Sequence, residues 1–377
     1  MNILILTHSY PDSNHKWRGV FVQQQARALG KIHKVIVVCF KADYAHFSPF
    51  SDYSFEKTID DNLTVYEVTV SKSFPVITQL KYLVNTYRFI NREILNREKP
   101  DIIHCHLSYP AGFLGTIIQR RKGIPAVLTE HSTLRLYNRS FIHQLCVRHT
   151  LRNATEIISV SNSLKNEIIS IRNRKVNVIP NIVDTAFFKP SGTRDGQKLR
   201  LGFLGGLNNS NKGLDLLLKA ASMLDKTKFI LHIGGDGKLL DHFKKLATEE
   251  GLENNCIFHG EISRSGISRF YSLFDIFVLP SRYETFGIVL IEAMACGVPV
   301  ISTKCGGPQD IVTESTGILV EKENPEMLAN AIRTMADNLN TFDKEIIRNY
   351  VKDKFGEETI AEKISKLYRE ILMRNGK

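Results

Sequence analysis

Along most of the chain, short apolar runs alternate with longer segments whose apolar residues recur every three to four positions. The first kind suits strands covered on both faces, and the second suits helices laid over them. In the first half the pattern predicts strands at 2–7, 34–40, 63–70, 102–105, 126–129, 156–160 and 176–179. Helices are predicted at 21–29, at 79–96, and at 161–170, which opens on a cap-like Ser161-Asn162-Ser163. Residues 189–198 are polar and hold Pro190, Gly192 and Gly196, the composition of a linker. The alternation then restarts, with strands at 200–204, 228–234, 256–259, 276–279 and 299–302 and helices at 214–221, 238–250, 267–274 and 284–296. Such a pattern predicts two doubly wound α/β domains, over 1–188 and 199–356, with an amphipathic segment at 357–377 to end the chain.

Composition agrees with two soluble cores. The chain has 377 residues, 43% hydrophobic and 24% charged. No apolar run approaches the ~18 to 20 residues that span a bilayer. The opening MNILILTHSY is short and has no basic start, so it reads as a buried first strand rather than an export signal, and the chain is expected to stay in the cytoplasm. Cysteines at 39, 105, 146, 256, 296 and 305 form no Cys-x-x-Cys pair, which points to free buried thiols. No internal repeat or low-complexity tract is present.

Charge changes the picture more. Of the net +11, residues 1–190 hold 25 Lys and Arg against 14 Asp and Glu, whereas 191–377 hold 25 of each. All the basic excess lies in the first half. A basic face attracts anionic lipid, acidic glycan or nucleic acid. No nucleic-acid recognition motif accompanies it; the excess can serve an anionic membrane surface, at the inner face of the plasma membrane, or be a merely solvated basic face. The amphipathic 79–96 can pack inward, the more frequent arrangement, or lie on a lipid surface, and the basic, aromatic 134–152 with Arg135, Arg139, Arg148 and Arg152 offers a second place for a membrane or for an acceptor's phosphate.

The richest stretch is 279–308, LPSRYETFGIVLIEAMACGVPVISTKCGGP. If Gly287 opens a helix, Ile288, Val289 and Leu290 present unpaired amides suited to a phosphate. Glu284 and Glu292, eight positions apart, would then lie on one helix flank about 12 Å apart. That is the spread from a transferred sugar to the ribose of its nucleotide carrier. A glutamate inside an apolar helix needs a polar partner, and a carboxylate can grip a diol with both oxygens.

This signature, two glutamates in register with Phe286-Gly287 after the first and Ala293-Met-Ala-Cys-Gly-Val-Pro-Val-Ile301 after the second, resembles that of the family 4 retaining glycosyltransferases. The resemblance extends, in the family's order, to His8-Ser-Tyr-Pro11, Asp101-Ile-Ile-His-Cys-His106, Thr129-Glu-His-Ser132, Val178-Ile-Pro-Asn-Ile-Val-Asp184, and Leu204-Gly-Gly-Leu207 with Lys212-Gly213. It implies a GT-B fold: two Rossmann-like domains facing across a cleft, acceptor-binding in the N-terminal one and nucleotide-sugar-binding in the C-terminal one, with the last helix crossing back to the first domain.

The resemblance also implies roles. Lys212 supplies a point charge to the donor's diphosphate, while Gly205 and Gly206 let the backbone approach it. Glu284 takes hydroxyls of the donor sugar, Glu292 takes the ribose, and Phe286, Gly287, Ile288 and Val289 carry the phosphate-facing turn. Ile262 lies where relatives hold the base. In the first domain, Gly19 sits in a loop brought against diphosphate and acceptor, His131 contacts the transferred sugar, and His8 closes the first strand. His104 and His106 are read as core or rim histidines, only one of them able to face the cleft. One departure stands out: relatives commonly carry arginine where this chain has Gly206, so Lys212 and the helix amides carry more of the neutralisation unless Arg18 or Arg282 swings in.

No Asp-x-Asp follows a strand and no His/carboxylate cluster has metal spacing, so no metal or other cofactor is expected. The expected activity is retaining transfer of a hexosyl-type sugar from a nucleotide diphosphate sugar, UDP first, to a lipid-linked or cell-surface polysaccharide acceptor. The alternatives are a soluble transferase with a small acceptor and a non-catalytic nucleotide-sugar-binding protein.

Overall fold

The computed structural model describes residues 1–12, 15–47, 53–60, 62–72, 75–134, 141–191 and 198–376. The chain forms two compact units, Met1–Ile182 with Ile360–Lys377, and Val183–Thr359. The break thus falls six residues before the predicted end of the first domain, because Val183 is held by the second unit: its N–H donates to Phe355 O (3.0 Å), and it bridges to Gly356.

The first unit is built on β1 (Asn2–Thr7), β2 (Lys34–Phe47), β3 (Tyr53–Asp60), β4 (Leu63–Lys72), β5 (Ile102–His106), β6 (Ala126–Glu130), β7 (Glu156–Ser159) and β8 (Asn177–Val178), in the sheet order β3-β4-β2-β1-β5-β6-β7-β8. Every neighbour pairs in parallel except β3, which runs antiparallel to β4. Ile3, Leu4, Ile5 and Leu6 are all 0% exposed, as a central strand covered on both faces requires. Strand β3 escapes the hydrophobic pattern because all seven residues after Tyr53 are exposed; it is held by edge pairing to β4 and by Tyr53 and Phe55 against the Phe89 ring.

Ser161 caps Asn162–Ile171 by accepting the Leu164 N–H at 3.1 Å. The predicted 79–96 helix begins earlier, as Pro75–Phe89, and continues as a π-helical turn over Ile90–Leu95. Its described flank packs inward: Asn85, Thr86, Phe89, Ile90 and Ile94 are buried, and the Tyr82 hydroxyl donates to Phe40 O (2.6 Å). The final helix, Glu357–Arg374, inserts Ile360, Ile364, Tyr368 and Ile371 into the core formed by Ile3, Ile5, Val35 and Val37.

The second unit carries β9 (Leu199–Leu204), β10 (Phe229–Gly234), β11 (Cys256–Gly260), β12 (Ile276–Leu279), β13 (Val300–Thr303) and β14 (Gly317–Val320), all parallel in the order β11-β10-β9-β12-β13-β14. Taken in chain order this is the 3-2-1-4-5-6 arrangement of dinucleotide-binding sheets, which bind ligands beyond the carboxyl ends of the strands where the order reverses. Here that place lies between β9 and β12. Four free cysteines, Cys39, Cys105, Cys296 and Cys305, are buried, and Cys146 and Cys256 are half-buried.

Close packing beneath the reversal point leaves no room at Gly202 of β9, where a Cβ would lie 2.1 Å from the fully buried Phe274 ring. Gly202→Ala should destabilise the protein by roughly 1–3 kcal/mol, read as a lower denaturant midpoint with an unchanged slope.

Candidate active site

The loop after β9 is laced to both of its neighbours. On one side Gly205 N–H donates to Gly234 O (3.2 Å) and Leu207 N–H to Asp236 O (2.9 Å), while a Cβ on Gly235 (φ +127°) would lie 1.9 Å from Gly205 O. The Gly234–Gly237 turn therefore supports the loop. On the other side Arg282 N–H donates to Asn211 O (2.8 Å), Asn211 Nδ2 donates to Tyr283 O (3.0 Å), and a Cβ on Gly213 (φ +72°) would lie 2.0 Å from Pro280 O. Lys212 is thereby set against the segment that follows β12. Its Nζ meets Glu284 Oε1 at 2.6 Å, and Ser281 Oγ donates to the same oxygen at 2.8 Å. The lysine is 30% exposed in its side chain and the glutamate 9%, so the pair opens to solvent from the ammonium side.

Glu284 lies outside the helix predicted from 284. It is held extended, bridged to Gly306, with its N–H donating to Cys305 O (3.3 Å) and its carbonyl accepting the Gly307 N–H (2.8 Å). Backbone this close tolerates only glycine at 307, where a Cβ would lie 2.3 Å from Phe286 Cα. The helix itself is Ile288–Ala295, opened by Gly287 at φ 104°. Glu284 and Glu292 therefore do not share a helix flank. Leu290 N–H already donates to Gly287 O (2.9 Å), leaving Ile288 and Val289 as the amides at the helix mouth. Phe286 is 2% exposed and packs its ring on Phe355, so it serves this turn as an anchor.

Glu292 is 6% exposed, and its Oε2 accepts the hydroxyl of the fully buried Tyr271 at 2.7 Å. Burial pushes its carboxyl up to about 7, while the Tyr271 hydrogen bond and the nearby positive Arg264 act in the opposite direction. The polar partner demanded by an acidic residue in an apolar helix is thus a tyrosine. Neither Tyr271 nor Arg264 stood out in the sequence, because both read as ordinary helix and loop residues.

Gly206 is exposed, and a Cβ there would meet nothing within 4 Å, so the missing arginine is not forced by packing. Arg282 does not take its place. Its guanidinium grips both Asp215 oxygens (2.9 and 2.7 Å) and Glu323 Oε1 (2.7 Å), which makes it a brace for the Lys212 loop. Ile262 lies half-buried on the loop after β11.

In the first unit the order reverses between β1 and β5. Gly19, at φ 66°, caps the helix Val20–Gly30, and a Cβ on it would lie 2.1 Å from Ser9 O, so the turn fits only a glycine. His8 ends the β1 segment, and burial, Arg18 and His143 push its imidazole down to about 4. His131 follows β6, is 7% exposed, contacts the Phe21 ring at 4.2 Å, and shares a hydrogen bond with His106 (Nε2 to Nδ1, 2.9 Å). Burial drives its imidazole down to about 3, so it is neutral at physiological pH. Contrary to the expectation that His104 and His106 face apart, their rings stack at 4.6 Å, because positions two apart on a strand share a face. Both are fully buried, with His104 held between the Tyr368 hydroxyl (2.5 Å) and Thr129 Oγ1 (2.7 Å).

Sequence reasoning assigned no role to Glu130. Its buried carboxylate accepts the Ser108 N–H (2.9 Å) and hydroxyl (2.5 Å) on one oxygen and the His131 (3.0 Å) and Ser132 (3.1 Å) N–H groups on the other. One side chain thus ties the turn after β5 to the turn that carries His131. Arg135 and Arg139 lie outside the described residues. Among the described residues no three His, Cys, Asp or Glu side chains gather as metal ligands.

Two doubly wound units, each with glycine-bound turns and charged or imidazole groups at its reversal point, are the architecture of the GT-B class. Residues 19–187 match the family described as Glycosyltransferase Family 4, and residues 184–354 match Glycosyl transferases group 1. An uncharacterized glycosyltransferase, MJ1178, of Methanocaldococcus jannaschii is 30% identical over 84% of this chain and 88% of its own. The Escherichia coli UDP-Gal:alpha-D-GlcNAc-diphosphoundecaprenol alpha-1,3-galactosyltransferase is 27% identical over 86% of this chain and 87% of its own. The crystal structure of Anabaena Alr3699/HepE in complex with UDP superposes with a TM-score of 0.76, at 20% identity, over 98% of this chain and all of that one. The chain belongs to the family 4 glycosyltransferases of GT-B fold.

The raised Glu292 carboxyl makes a pH prediction. Its folded value of about 7 lies above the ordinary 4.5, so the folded state binds this proton more tightly. The stability it contributes is full below about pH 4.5 and is lost as pH rises through about 7. Glu292→Gln cannot titrate. The stability of the wild type relative to that variant should fall by about 2 kcal/mol between about pH 5 and about pH 8, measured by chemical denaturation without ligand.

Proposed function

We propose that this glycosyltransferase moves a hexosyl-type sugar, with retention of anomeric configuration and without a metal, from a nucleotide diphosphate sugar, UDP first, to a lipid-linked or cell-surface polysaccharide acceptor at the inner face of the plasma membrane. The observation that carries this reading is the Lys212–Glu284 pair, fixed at the reversal point of the second sheet next to the Gly287 helix mouth. UDP is favoured by the UDP-galactose donor of the Escherichia coli relative and by the UDP in the Anabaena complex. The acceptor class is favoured by the diphosphoundecaprenol acceptor of that relative.

In this reading the bond between the sugar's anomeric carbon and the β-phosphate oxygen breaks, and its electron pair leaves with the diphosphate. Lys212 and the Ile288 and Val289 amides neutralise that charge as it grows. The acceptor oxygen bonds to the anomeric carbon from the same face, and its proton passes to the departing phosphate oxygen, so no protein carboxylate need serve as base. Glu284, held by Ser281, accepts hydroxyls of the sugar in flight. Glu292 takes the ribose diol, and Gly205, Gly206 and Ile262 lie along the nucleotide. His131, neutral, accepts from or donates to a hydroxyl of the transferred sugar, and Gly19 lets backbone approach the diphosphate.

A thermal-shift screen against UDP, GDP and ADP sugars should single out one donor, since ligand at 100 times its Kd adds ~2.7 kcal/mol. Turnover should deplete that donor only when acceptor is present. Lys212→Ala should lower kcat roughly 10²-fold, the scale of losing one charge-stabilising donor. Glu292→Ala should raise donor KM roughly tenfold or more. Wild-type kinetics in both variants would sink the assignment. Gly206→Arg, which the open space at that position admits, should lower donor KM roughly tenfold by adding a charge-assisted bond worth about 1.5 kcal/mol; an unchanged or higher KM would show that the diphosphate does not pass this loop.

A further inference from the structure

Between Ile102 and Thr155 the sequence holds seven Lys and Arg and one acidic residue, Glu130, which is 0% exposed. The helices Phe113–Lys122 and Phe141–Asn153, which span most of that stretch, contain no Asp or Glu. On the second helix Val147, Thr150 and Leu151 face inward. The opposite flank runs Phe141, Leu145, Arg148 and Arg152, four positions at helical spacing, with Ile142 beside its start. Phe141 is 72% exposed, Ile142 61% and Leu145 49%, three large apolar side chains in water within five residues. Basic residues border them: Arg148 and Arg152 further along the same flank, and Arg120, Arg121 and Lys122, all exposed, on the neighbouring helix. Burial lowers the His149 pKa, and Arg120 and Arg152 come close enough for their charges to lower it further.

An apolar tip beside an uncompensated basic field is complementary to a bilayer surface, where acyl chains take the apolar groups and anionic headgroups take the arginines. A protein partner would need its own acidic rim around an apolar pocket; an anionic bilayer offers both at once. Among the described residues of the helix starting at Pro75, the other stretch of amphipathic pattern, Val84 alone is an exposed large apolar side chain, while Asn85, Thr86 and Phe89 are buried.

We propose that the first turn and a half of Phe141–Asn153 is a membrane wedge: Phe141, Ile142 and Leu145 enter the headgroup boundary of an anionic leaflet while Arg148, Arg152, Arg120, Arg121 and Lys122 bind its headgroups. This deepens the proposed setting of the enzyme by naming the surface that meets the membrane, and it does not depend on which sugar is transferred.

The test uses the full chain with vesicles of phosphatidylglycerol and phosphatidylcholine, and with phosphatidylcholine alone. The wild type should sediment with the anionic vesicles only, and added salt should weaken binding as it screens the arginines. Phe141→Ser/Ile142→Ser/Leu145→Ser and, separately, Arg148→Glu/Arg152→Glu should each bind at least about tenfold more weakly, the scale expected from losing one to two favourable surface contacts. In Phe141→Trp, the emission in excess of that from Trp17 should shift to the blue and be quenched by brominated acyl chains. Failure of the wild type to bind, or undiminished binding by the triple serine variant, overturns the proposal. So does a dimer in light scattering that the serine substitutions dissociate while vesicle binding persists, since the face would then belong to a second copy. Thermal shift by the nucleotide sugar, run on the same variants, separates this outcome from the fate of the catalytic reading: the serine variants should keep it, and a chain that binds vesicles but no nucleotide sugar would defeat only the latter.

Discussion

The contact between the Lys212 ammonium and the Glu284 carboxylate organises the second unit's ligand-binding end. A carboxylate so nearly removed from water is costly unless paired, and truncating one partner of a buried pair typically costs about 3–5 kcal/mol. The loop positions its lysine through backbone bonds on both flanks, Gly205 and Leu207 to the β10 turn and Asn211 to the β12 segment, with the Arg282–Asp215 fork bracing it from below. The pair is therefore assembled before a ligand arrives. In the proposed reading a donor sugar would bring hydroxyls for Glu284 and phosphate oxygens for Lys212, exchanging one ion pair for two shared contacts without creating an orphaned charge.

The first unit handles polarity in the opposite way. His104, His106 and His131 are held neutral by burial, and their rings form a stacked column with hydrogen bonds at both ends of His104 and between the other two. The single buried carboxylate beside them, Glu130, has four donors converging on it. A neutral imidazole can donate with one nitrogen and accept with the other. It therefore suits an uncharged sugar hydroxyl, whereas the second unit's ammonium and helix amides suit a diphosphate.

Strands buried on both faces were legible in the sequence because they read as unbroken apolar runs; Ile3–Leu6 and Ile276–Leu279 are examples. Strand β3 was not, since pairing by backbone along an edge leaves no hydrophobic trace in YSFEKTID. The start of the Ile288–Ala295 helix was legible at Gly287, but Glu284 was drawn into the helix because the pattern cannot show that Gly306 and Gly307 pull that residue into a bridge. The role of Glu130 was hidden for a related reason. Two of its four donors come from Ser108, 22 positions away, and local spacing carries no sign of them. The stacking of His104 on His106, by contrast, follows directly from strand periodicity.

The Gly206 departure shows how a site can lose a charge without losing its shape. Space is free there, the loop's register is set by Gly205 and Leu207 on either side, and the neighbouring Arg282 is spent on Asp215 and Glu323. Among the described residues of this unit no other guanidinium takes that place, so in the proposed reading the neutralising power on this side would come from one ammonium and two amides. Arg264 adds positive potential on the Glu292 side, and a raised Glu292 carboxyl that is partly protonated near neutral pH removes some negative charge from the same neighbourhood. Both changes act in the direction an anionic donor needs, and ionisation of Glu292 to grip a ribose diol would reverse the second. In the proposed reading, donor binding and the titration of Glu292 would be coupled through electrostatics.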